Sequence, residues 1–257
     1  ANGYVVALTN VACPGGRGLH FALSLNKAYG THEVEDVIVA TDYVIEQGYV
    51  DPDRLGVGGW SSGGTLTNFV IAKTDRFAGA VSGASVGWYT TSYGHDPYQL
   101  WWNTELGPPW KNRDLWDSIS PFMDVENITT PTLFIGGEKD WNQPIIHSEQ
   151  MYQAMKHLGR EALLVVYPDA YHGIRRPTYH KDLLGWLPED RTANVGRGDS
   201  MTLTLDRLAQ PEGTEPLLVK VPYSSFEEHF FTLELRQWTS GYDSQLPGEG
   251  GIIHEVR

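Results

Sequence analysis

The chain has 257 residues, 40% of them hydrophobic, which is enough to fill the core of one large α/β domain or of a moderate domain plus a smaller one. Its 32 acidic and 19 basic side chains give a formal net charge of −13, which opposes binding to nucleic acid or to anionic lipid. No stretch is apolar over the roughly 20 residues that a membrane-spanning helix needs, and the first residues lack the basic and apolar regions of a signal peptide.

The first part of the chain alternates short apolar runs with helical patterns. The apolar runs, each bounded by Gly, Pro, Asp or Asn, predict buried strands at 4–9, 55–59, 78–83, 132–136 and 162–167. Helical periodicity predicts helices over 32–47, from Ser62 toward Lys73, and from about Ile145 to Leu158. Thr31 can cap the first helix, and Gly48 suits the left-handed turn after it. Strands that alternate with helices favour an α/β fold with a mostly parallel sheet.

Two later stretches depart from this alternation. Residues 94–127 are longer than a plain connection and rich in tryptophan, so they predict an insertion whose aromatic rings either line a pocket or pack the insertion onto the sheet. Beyond about residue 185, polar and apolar positions alternate with turns between them, which predicts a small all-β unit with strands at 200–208, 216–222, 230–236 and 251–257. We therefore expect two domains, 1–187 and 188–257.

A glycine-rich segment carries the strongest chemical signal. Gly59-Trp60-Ser61-Ser62-Gly63-Gly64 lies between a predicted strand and a predicted helix, the context in which G-x-S-x-G forms a nucleophile elbow. Such a turn exposes the Ser61 hydroxyl at the carboxyl end of the sheet and directs the backbone N–H of Ser62 toward an oxyanion. The alternative is a structural serine in a strand-to-helix turn.

The partners of a nucleophilic serine are expected at the ends of later strands. Asp140 follows the predicted strand at 132–136, and His172 follows the strand at 162–167. The order Ser, Asp, His is that of the α/β-hydrolases. Glu138 and Asp169 compete with Asp140 for the role of the acid, and each candidate could also be an ordinary loop residue.

Residues 1 to about 178 resemble the catalytic domain of the prolyl oligopeptidase family, particularly its acylaminoacyl-peptidase and dipeptidyl-peptidase-like branch. The segments that carry the resemblance are VEDVIVATDYVIEQGYVDPDRLGVGGWSSGG, TDRFAGAVSGASVGWY, ISPFMDVENITTPTLFIGGEKDWNQP and LLVVYPDAYHGIRRP. The resemblance implies an α/β-hydrolase fold, peptide substrates, no metal or organic cofactor, and a triad of Ser61, Asp140 and His172. It also implies a substrate-pocket role for Trp88 and Tyr89.

The same resemblance exposes two departures from the family. Its hydrolase domains begin with further strands and a His-Gly-Gly-type loop that supplies a second oxyanion donor, and a β-propeller precedes them. Here the matching region starts after that loop, so the chain is expected to be truncated at its N-terminal side. We expect the missing neighbouring strand either to leave a gap in the sheet or to force a new strand pairing.

The tail, about residues 183–257, is similar to the β-rich region that follows the catalytic helix of secreted immune inhibitor A-type metallopeptidases. Their zinc motif H-E-x-x-H is absent, because Asp36 stands where His32-Glu33 would need a second histidine and His254-Glu255 is nearly at the end of the sequence. No zinc site is therefore expected. The tail hints at an extracytoplasmic location, and compartment and oligomeric state are otherwise left open.

The leading hypothesis is a serine-type peptidase that hydrolyses peptide bonds, or ester bonds, through the triad and an acyl-enzyme. The alternative is a catalytically impaired fragment whose β-rich tail is a binding or structural module. A piece of a metallopeptidase is a third and weaker reading, because the zinc motif is missing.

Overall fold

The described part of the chain falls into two units. In the computed structural model, the residues described are 5–9, 11, 19, 23–48, 50–176, 179, 192–194, 218–222, 230–236 and 250–256. Contacts divide the chain into Ala1–Ile174 and Arg175–Arg257. The boundary predicted between residues 187 and 188 lies outside the described residues and stays a prediction.

The first unit is built on a parallel sheet of four strands, as expected for an α/β-hydrolase fold. They are β1 (Gly56–Trp60), β2 (Gly79–Gly83), β3 (Thr132–Gly137) and β4 (Ala162–Tyr167), in the order β1-β2-β3-β4. Each confirms a predicted strand, with bounds that differ by no more than one residue. Because all four run in the same direction, their carboxyl ends meet at one edge, where the motif serine and its expected partners follow.

The helices of this unit also follow the sequence pattern. The predicted helices correspond to α1 (His32–Glu46), α2 (Ser62–Lys73) and α6 (Ile146–His157). Between β2 and β3 lie α3 (Tyr89–Ser92), α4 (Gln99–Glu105), α5 (Arg113–Ser118) and a 3-10 helix, Pro121–Asn127. The insertion is therefore a group of short helices. None of the described helices is both long and apolar enough to cross a bilayer.

The strand predicted at 4–9 is wrong over the residues that the structure describes. Residues 5–9 have no regular secondary structure, and Val5, Val6 and Leu8 expose 54%, 78% and 93% of their surface. A strand is held by hydrogen bonds to a neighbour, and no described strand pairs with the outer edge of β1. A new strand pairing, one of the two outcomes expected there, is not present among the described residues.

The cap predicted for α1 is also wrong in its details. The Thr31 hydroxyl donates to the Ala28 carbonyl instead of capping the helix. The Glu33 carboxylate accepts the N–H groups of Gly30 and Thr31, at 2.5 and 3.1 Å, and so satisfies donors at the helix start. Gly48 has φ +79°, which confirms the left-handed turn after the helix.

Two hydrophobic clusters fill the first unit. One joins α1, α2 and the insertion through Val34, Phe69, Val70, Trp102 and Trp116. The other joins α2, the sheet and α6 through Ile71, Phe134, Met151 and Met155. Trp102 and Trp116 are 6% and 0% exposed, so they pack the insertion, whereas Trp101 and Trp110 are 51% and 71% exposed.

The second unit contains a separate four-stranded sheet. Its strands are β5 (Thr192–Asn194), β6 (Leu218–Pro222), β7 (Phe230–Arg236) and β8 (Gly250–Val256). β5 is parallel to β6, and the other pairs are antiparallel. The last three strands correspond to those predicted at 216–222, 230–236 and 251–257, and the strand predicted at 200–208 lies outside the described residues.

Candidate active site

Ser61 sits on a strained turn between β1 and α2. Its backbone has φ +61° and ψ −122°, a conformation that L-residues rarely adopt, and its N–H donates to the Gly83 carbonyl at 2.9 Å. A Cβ at Gly59 would lie 2.4 Å from the Gly63 backbone, and one at Gly64 would lie 2.3 Å from the Gly83 carbonyl oxygen. The turn therefore requires glycine at positions 59 and 64, whereas a Cβ at Gly63, the last glycine of the motif, would meet nothing within 4 Å.

The structure brings together the serine, the histidine and the aspartate that the sequence predicted. His172 Nε2 is 2.9 Å from Ser61 Oγ, and His172 Nδ1 is 2.8 Å from Asp140 Oδ2. The other carboxylate oxygen of Asp140 accepts the N–H groups of Asn142 and Gln143, at 2.8 and 2.9 Å. The Asp140 side chain is fully buried and that of His172 is 30% exposed. The carboxylate is thus held in place, while the imidazole reaches the surface.

The two rival carboxylates have other partners. Glu138 accepts the backbone N–H of Asp169 at 3.0 Å. The Asp169 carboxylate pairs with Lys139 Nζ, and this hydrogen bond and ion pair raise the pKa of the Lys139 ammonium group. Asp140 is the carboxylate hydrogen-bonded to Nδ1 of His172.

The loops that carry Asp140 and His172 are packed backbone against backbone. A Cβ at Gly137 would lie 2.4 and 2.5 Å from the carbonyl oxygens of Ala170 and Tyr171. The Lys139 N–H donates to the Ala170 carbonyl at 2.9 Å. A glycine at the end of a strand is a sequence signal for a close approach of another backbone segment. Gly137 is such a glycine, and the segment that approaches it is the His172 loop.

Sequence reasoning missed a direct link between the elbow and the histidine loop. The Trp60 indole N–H donates to the main-chain carbonyl of His172 at 3.0 Å. The indole also lies against Gly83, where a Cβ would be 2.3 Å from Trp60 Cε3. The position before the serine is unrestricted in the G-x-S-x-G pattern, so the motif offers no signal for this contact.

A second missed link runs from the insertion to the aspartate turn. The Tyr98 hydroxyl donates to Asn142 Oδ1, and Asn142 N–H is one of the donors to Asp140. Asp96 accepts both the Tyr98 N–H, at 2.8 Å, and the Trp102 indole N–H, at 2.9 Å. The insertion is thereby connected to the acid of the candidate site.

Ser62 is the first residue of α2. N–H groups in the first turn of a helix have no intrahelical acceptor, and the helix dipole makes this end partially positive. The Ser62 N–H therefore has the surroundings that an oxyanion requires. Its role in catalysis stays a prediction.

Trp88 and Tyr89 make packing contacts. Trp88 is half-buried, stacks on Phe122 at 5.5 Å and donates its indole N–H to Asp117 at 3.3 Å. Tyr89 is 8% exposed, and its ring stacks on that of Tyr29, 5.6 Å away. Burial raises the pKa of the Tyr89 hydroxyl. A substrate-binding role for either residue stays a prediction.

Metal ligands do not cluster in the described part of the chain. Among those residues, no group of three or more His, Cys, Asp or Glu side chains is arranged to hold a metal ion. The candidate site itself offers a hydroxyl, an imidazole and a carboxylate, the combination that supports nucleophilic acyl transfer.

Comparison with known proteins places this geometry in a wider context. A family profile described as the prolyl oligopeptidase family matches residues 1–188. The chain is 34% identical over 180 residues to a Bacillus subtilis (strain 168) protein named uncharacterized peptidase YuxL, covering 68% of this chain and 27% of that protein. It is 30% identical over 185 residues to the acylamino-acid-releasing enzyme of Arabidopsis thaliana, covering 68% and 24%.

Solved structures give the same result for the fold. An acylaminoacyl peptidase in complex with Z-Gly-Gly-Phe-chloromethyl ketone superposes with a TM-score of 0.63 and 26% identity, covering 67% of this chain and 29% of that one. The chain spans about a quarter of the length of these two curated relatives.

Proposed function

The chain belongs to the prolyl oligopeptidase family, and from this membership we propose that it is a serine-type peptidase that acts through Ser61, His172 and Asp140. The single observation that carries the proposal is the unbroken hydrogen-bond chain from Asp140 through the imidazole to the Ser61 hydroxyl. This arrangement allows one group to accept a proton while another attacks, which is what acyl transfer requires.

Each residue has a defined step in the proposed reaction. His172 Nε2 takes the Ser61 proton as Oγ bonds to the carbonyl carbon, and the electron pair of the C=O bond moves onto oxygen. The imidazolium then protonates the departing amine as the C–N bond breaks, which leaves an acyl-enzyme. Water loses a proton to His172 as it attacks the acyl carbon, and Ser61 regains its proton when the acid is released.

Asp140 orients the base in this scheme. With Nδ1–H donated to the carboxylate, Nε2 is left as the acceptor that faces Ser61 Oγ. The buried Asp140 has no freedom to rotate away, because its second oxygen is held by two backbone N–H groups. The reaction needs no metal or organic cofactor, because nucleophile, base and orienting acid are all side chains.

The Ser62 N–H is the proposed oxyanion donor. It lies next to the nucleophile at the positive end of α2, so it meets the charge that develops on the substrate oxygen. Family members pair such a donor with a second one from the His-Gly-Gly-type loop. Loss of one donor from such a pair slows the reaction about 100- to 1,000-fold.

The alternative function is that of a catalytically impaired fragment with a β-rich binding or structural module. One observation favours it: no described strand covers the outer edge of β1. An activity measurement on the chain distinguishes the two readings.

Labelling with a fluorophosphonate tests the peptidase proposal. The reagent phosphonylates a serine only when a base activates its hydroxyl, so we expect one label per chain at Ser61, located by peptide mass spectrometry. Ser61→Ala abolishes the labelling. Ser118→Ala, which removes an exposed hydroxyl bonded to the Leu115 carbonyl, leaves the labelling rate unchanged. Folded protein that takes up no label at Ser61 contradicts the peptidase proposal and supports the impaired fragment.

The same assay tests the substrate class. A relative has been solved with Z-Gly-Gly-Phe-chloromethyl ketone, and we propose that the present site also accepts a peptide acyl group. Pre-incubation with this peptide ketone should therefore block fluorophosphonate labelling, whereas chloroacetone at the same concentration should not. Equal protection by the two compounds would mean that the peptide part makes no contribution.

A further inference from the structure

The residue that precedes the nucleophile makes a contact that the triad does not account for. The Trp60 indole N–H reaches the main-chain carbonyl of His172, 112 residues later in the chain, at 3.0 Å. The histidine side chain is meanwhile bonded to Ser61, the neighbour of Trp60. His172 is thus held by two consecutive residues of the same turn, one through its backbone and one through its ring.

The indole is confined on the sheet. Trp60 pairs with Gly83 in the register of β1 and β2, so both side-chain positions lie on the same face. A Cβ at Gly83 would meet the indole at 2.3 Å, so the ring occupies the space that any larger residue would take. The carbonyl of Gly83 also accepts the Ser61 N–H at 2.9 Å. One glycine therefore fixes both the indole and the nucleophile.

The histidine loop depends on such outside contacts. Asp169, within it, has φ +55°, a left-handed backbone that is costly for a residue other than glycine. The hydrogen bonds that hold the loop's main chain before the histidine include Ala170 N–H to the Tyr167 carbonyl, Asp169 N–H to Glu138 and Lys139 N–H to the Ala170 carbonyl. The indole bond is the contact described for the backbone of His172 itself.

We propose that Trp60 is a positioning residue, whose indole N–H fixes the backbone of His172 so that the imidazole stays in line with Ser61 Oγ. The inference rests on the proposed function, since it assigns Trp60 to the same reaction. A hydrogen bond to a main-chain carbonyl determines where the histidine Cα sits, and small displacements of a base reduce proton transfer strongly.

Trp60→Phe tests the inference because it keeps a ring against Gly83 and removes the N–H donor. We expect the second-order rate of fluorophosphonate labelling to fall by about 3- to 10-fold, the factor that corresponds to one lost hydrogen bond, while labelling still reaches one per chain. The NMR signal of the His172 Nδ1–H proton, shielded from exchange by Asp140, should broaden, because a less confined imidazole exchanges faster with water.

Trp116→Phe is the matched control. It also loses an indole hydrogen bond to a main-chain carbonyl, that of Gly107 at 3.0 Å, but in the core of the insertion. We expect it to lower the melting temperature while the labelling rate and the His172 signal stay at their wild-type values. A merely structural role for Trp60 would give the same pattern in Trp60→Phe and would overturn the inference.

Should Trp60→Phe not fold, replacement of Trp60 by 3-benzothienylalanine decides the matter, because sulfur replaces the N–H in a ring of nearly the same shape. Wild-type protein that is folded but unlabelled would contradict the proposed peptidase. The His172 proton signal would then still test Trp60: broadening on loss of the N–H supports the inference, and an unchanged signal overturns it.

Discussion

The two faces of the parallel sheet differ in how they are covered. On the first face, Ser82 and Phe134 are fully buried under α2 and α6. On the second face, Val81 and Leu163 lie in one row across the sheet and expose 43% and 60% of their surface. Because successive residues of a strand point to opposite faces, buried and exposed side chains are direct neighbours in the chain. Apolar character alone therefore does not determine burial here.

The second face is not uniform along the strands. Two residues further toward the carboxyl ends, the next row contains Trp60, Gly83 and Ile135, and Ile135 is 2% exposed. This row lies beside the Ser61 turn and the His172 loop. The second face is thus closed where the candidate site is built and open in its middle. On this face, the tightly packed row is the one beside the candidate catalytic residues.

The largest expected effect is on the first face. Phe134→Ala removes a completely buried ring between α2, α6 and the sheet, so it should lower the free energy of unfolding by about 3–5 kcal/mol. Urea denaturation followed by far-ultraviolet circular dichroism measures this loss. A loss of less than about 1 kcal/mol would show that α6 does not seal this face in solution.

An effect of intermediate size should come from His147, in the first turn of α6. The residue is fully buried, its Nε2 is 3.1 Å from Ser92 Oγ, and burial, with a smaller contribution from His95, lowers its pKa to about 4. Between the unfolded pKa of about 6.5 and this value, the unfolded chain binds the proton and the folded chain does not. The stabilisation is therefore complete above pH 6.5 and is lost as the pH falls toward 4.

Between pH 7.5 and pH 5, His147 should account for about 2 kcal/mol of the decrease in unfolding free energy. The check is urea denaturation at both pH values for the wild type and for His147→Gln, whose amide can still bond Ser92. The variant should show the smaller difference between the two pH values. Equal differences would mean that the imidazole of His147 binds its proton equally well in the folded and unfolded chains.

The smallest effect is expected on the open part of the second face. Leu163→Ala removes a side chain from a residue that is 60% exposed, so the unfolding free energy should change by no more than about 0.5 kcal/mol. The same denaturation assay used for Phe134→Ala gives a direct comparison. A loss near 2 kcal/mol would indicate that this row is covered in solution, and the contrast between the faces would disappear.

Much of this architecture could be predicted from local pattern. Four strands and three helices lie where apolar periodicity placed them, because the period of a helix or a strand is a property of neighbouring residues. Ser61 could be singled out because it lies in a G-x-S-x-G motif between a predicted strand and a predicted helix, where Gly59 leaves no room for a Cβ. Asp140 and His172 could be nominated because parallel strands end at one edge, although Glu138 and Asp169 fitted that argument equally well.

Local pattern failed in two places, once for lack of a neighbouring strand and once because nearby residues competed for the same hydrogen bonds. Residues 5–9 are apolar enough for a strand, but no described strand offers them hydrogen bonds beside β1. Thr31 can cap a helix, but its hydroxyl bonds Ala28 and the nearby Glu33 carboxylate takes its place. In both cases the residue type was suitable, but residues 5–9 have no described neighbouring strand and Thr31 has a competing acceptor in Ala28.

The amino-acid order alone thus established an α/β chain with a serine elbow and a short set of candidate partners, since these depend on periods and turns that neighbouring residues specify. Packing between remote segments selected Asp140 as the carboxylate bonded to His172, joined Trp60 to the histidine loop and linked Tyr98 to Asn142. Those contacts join residues far apart in sequence at hydrogen-bonding distance, and only the folded backbone brings such residues together.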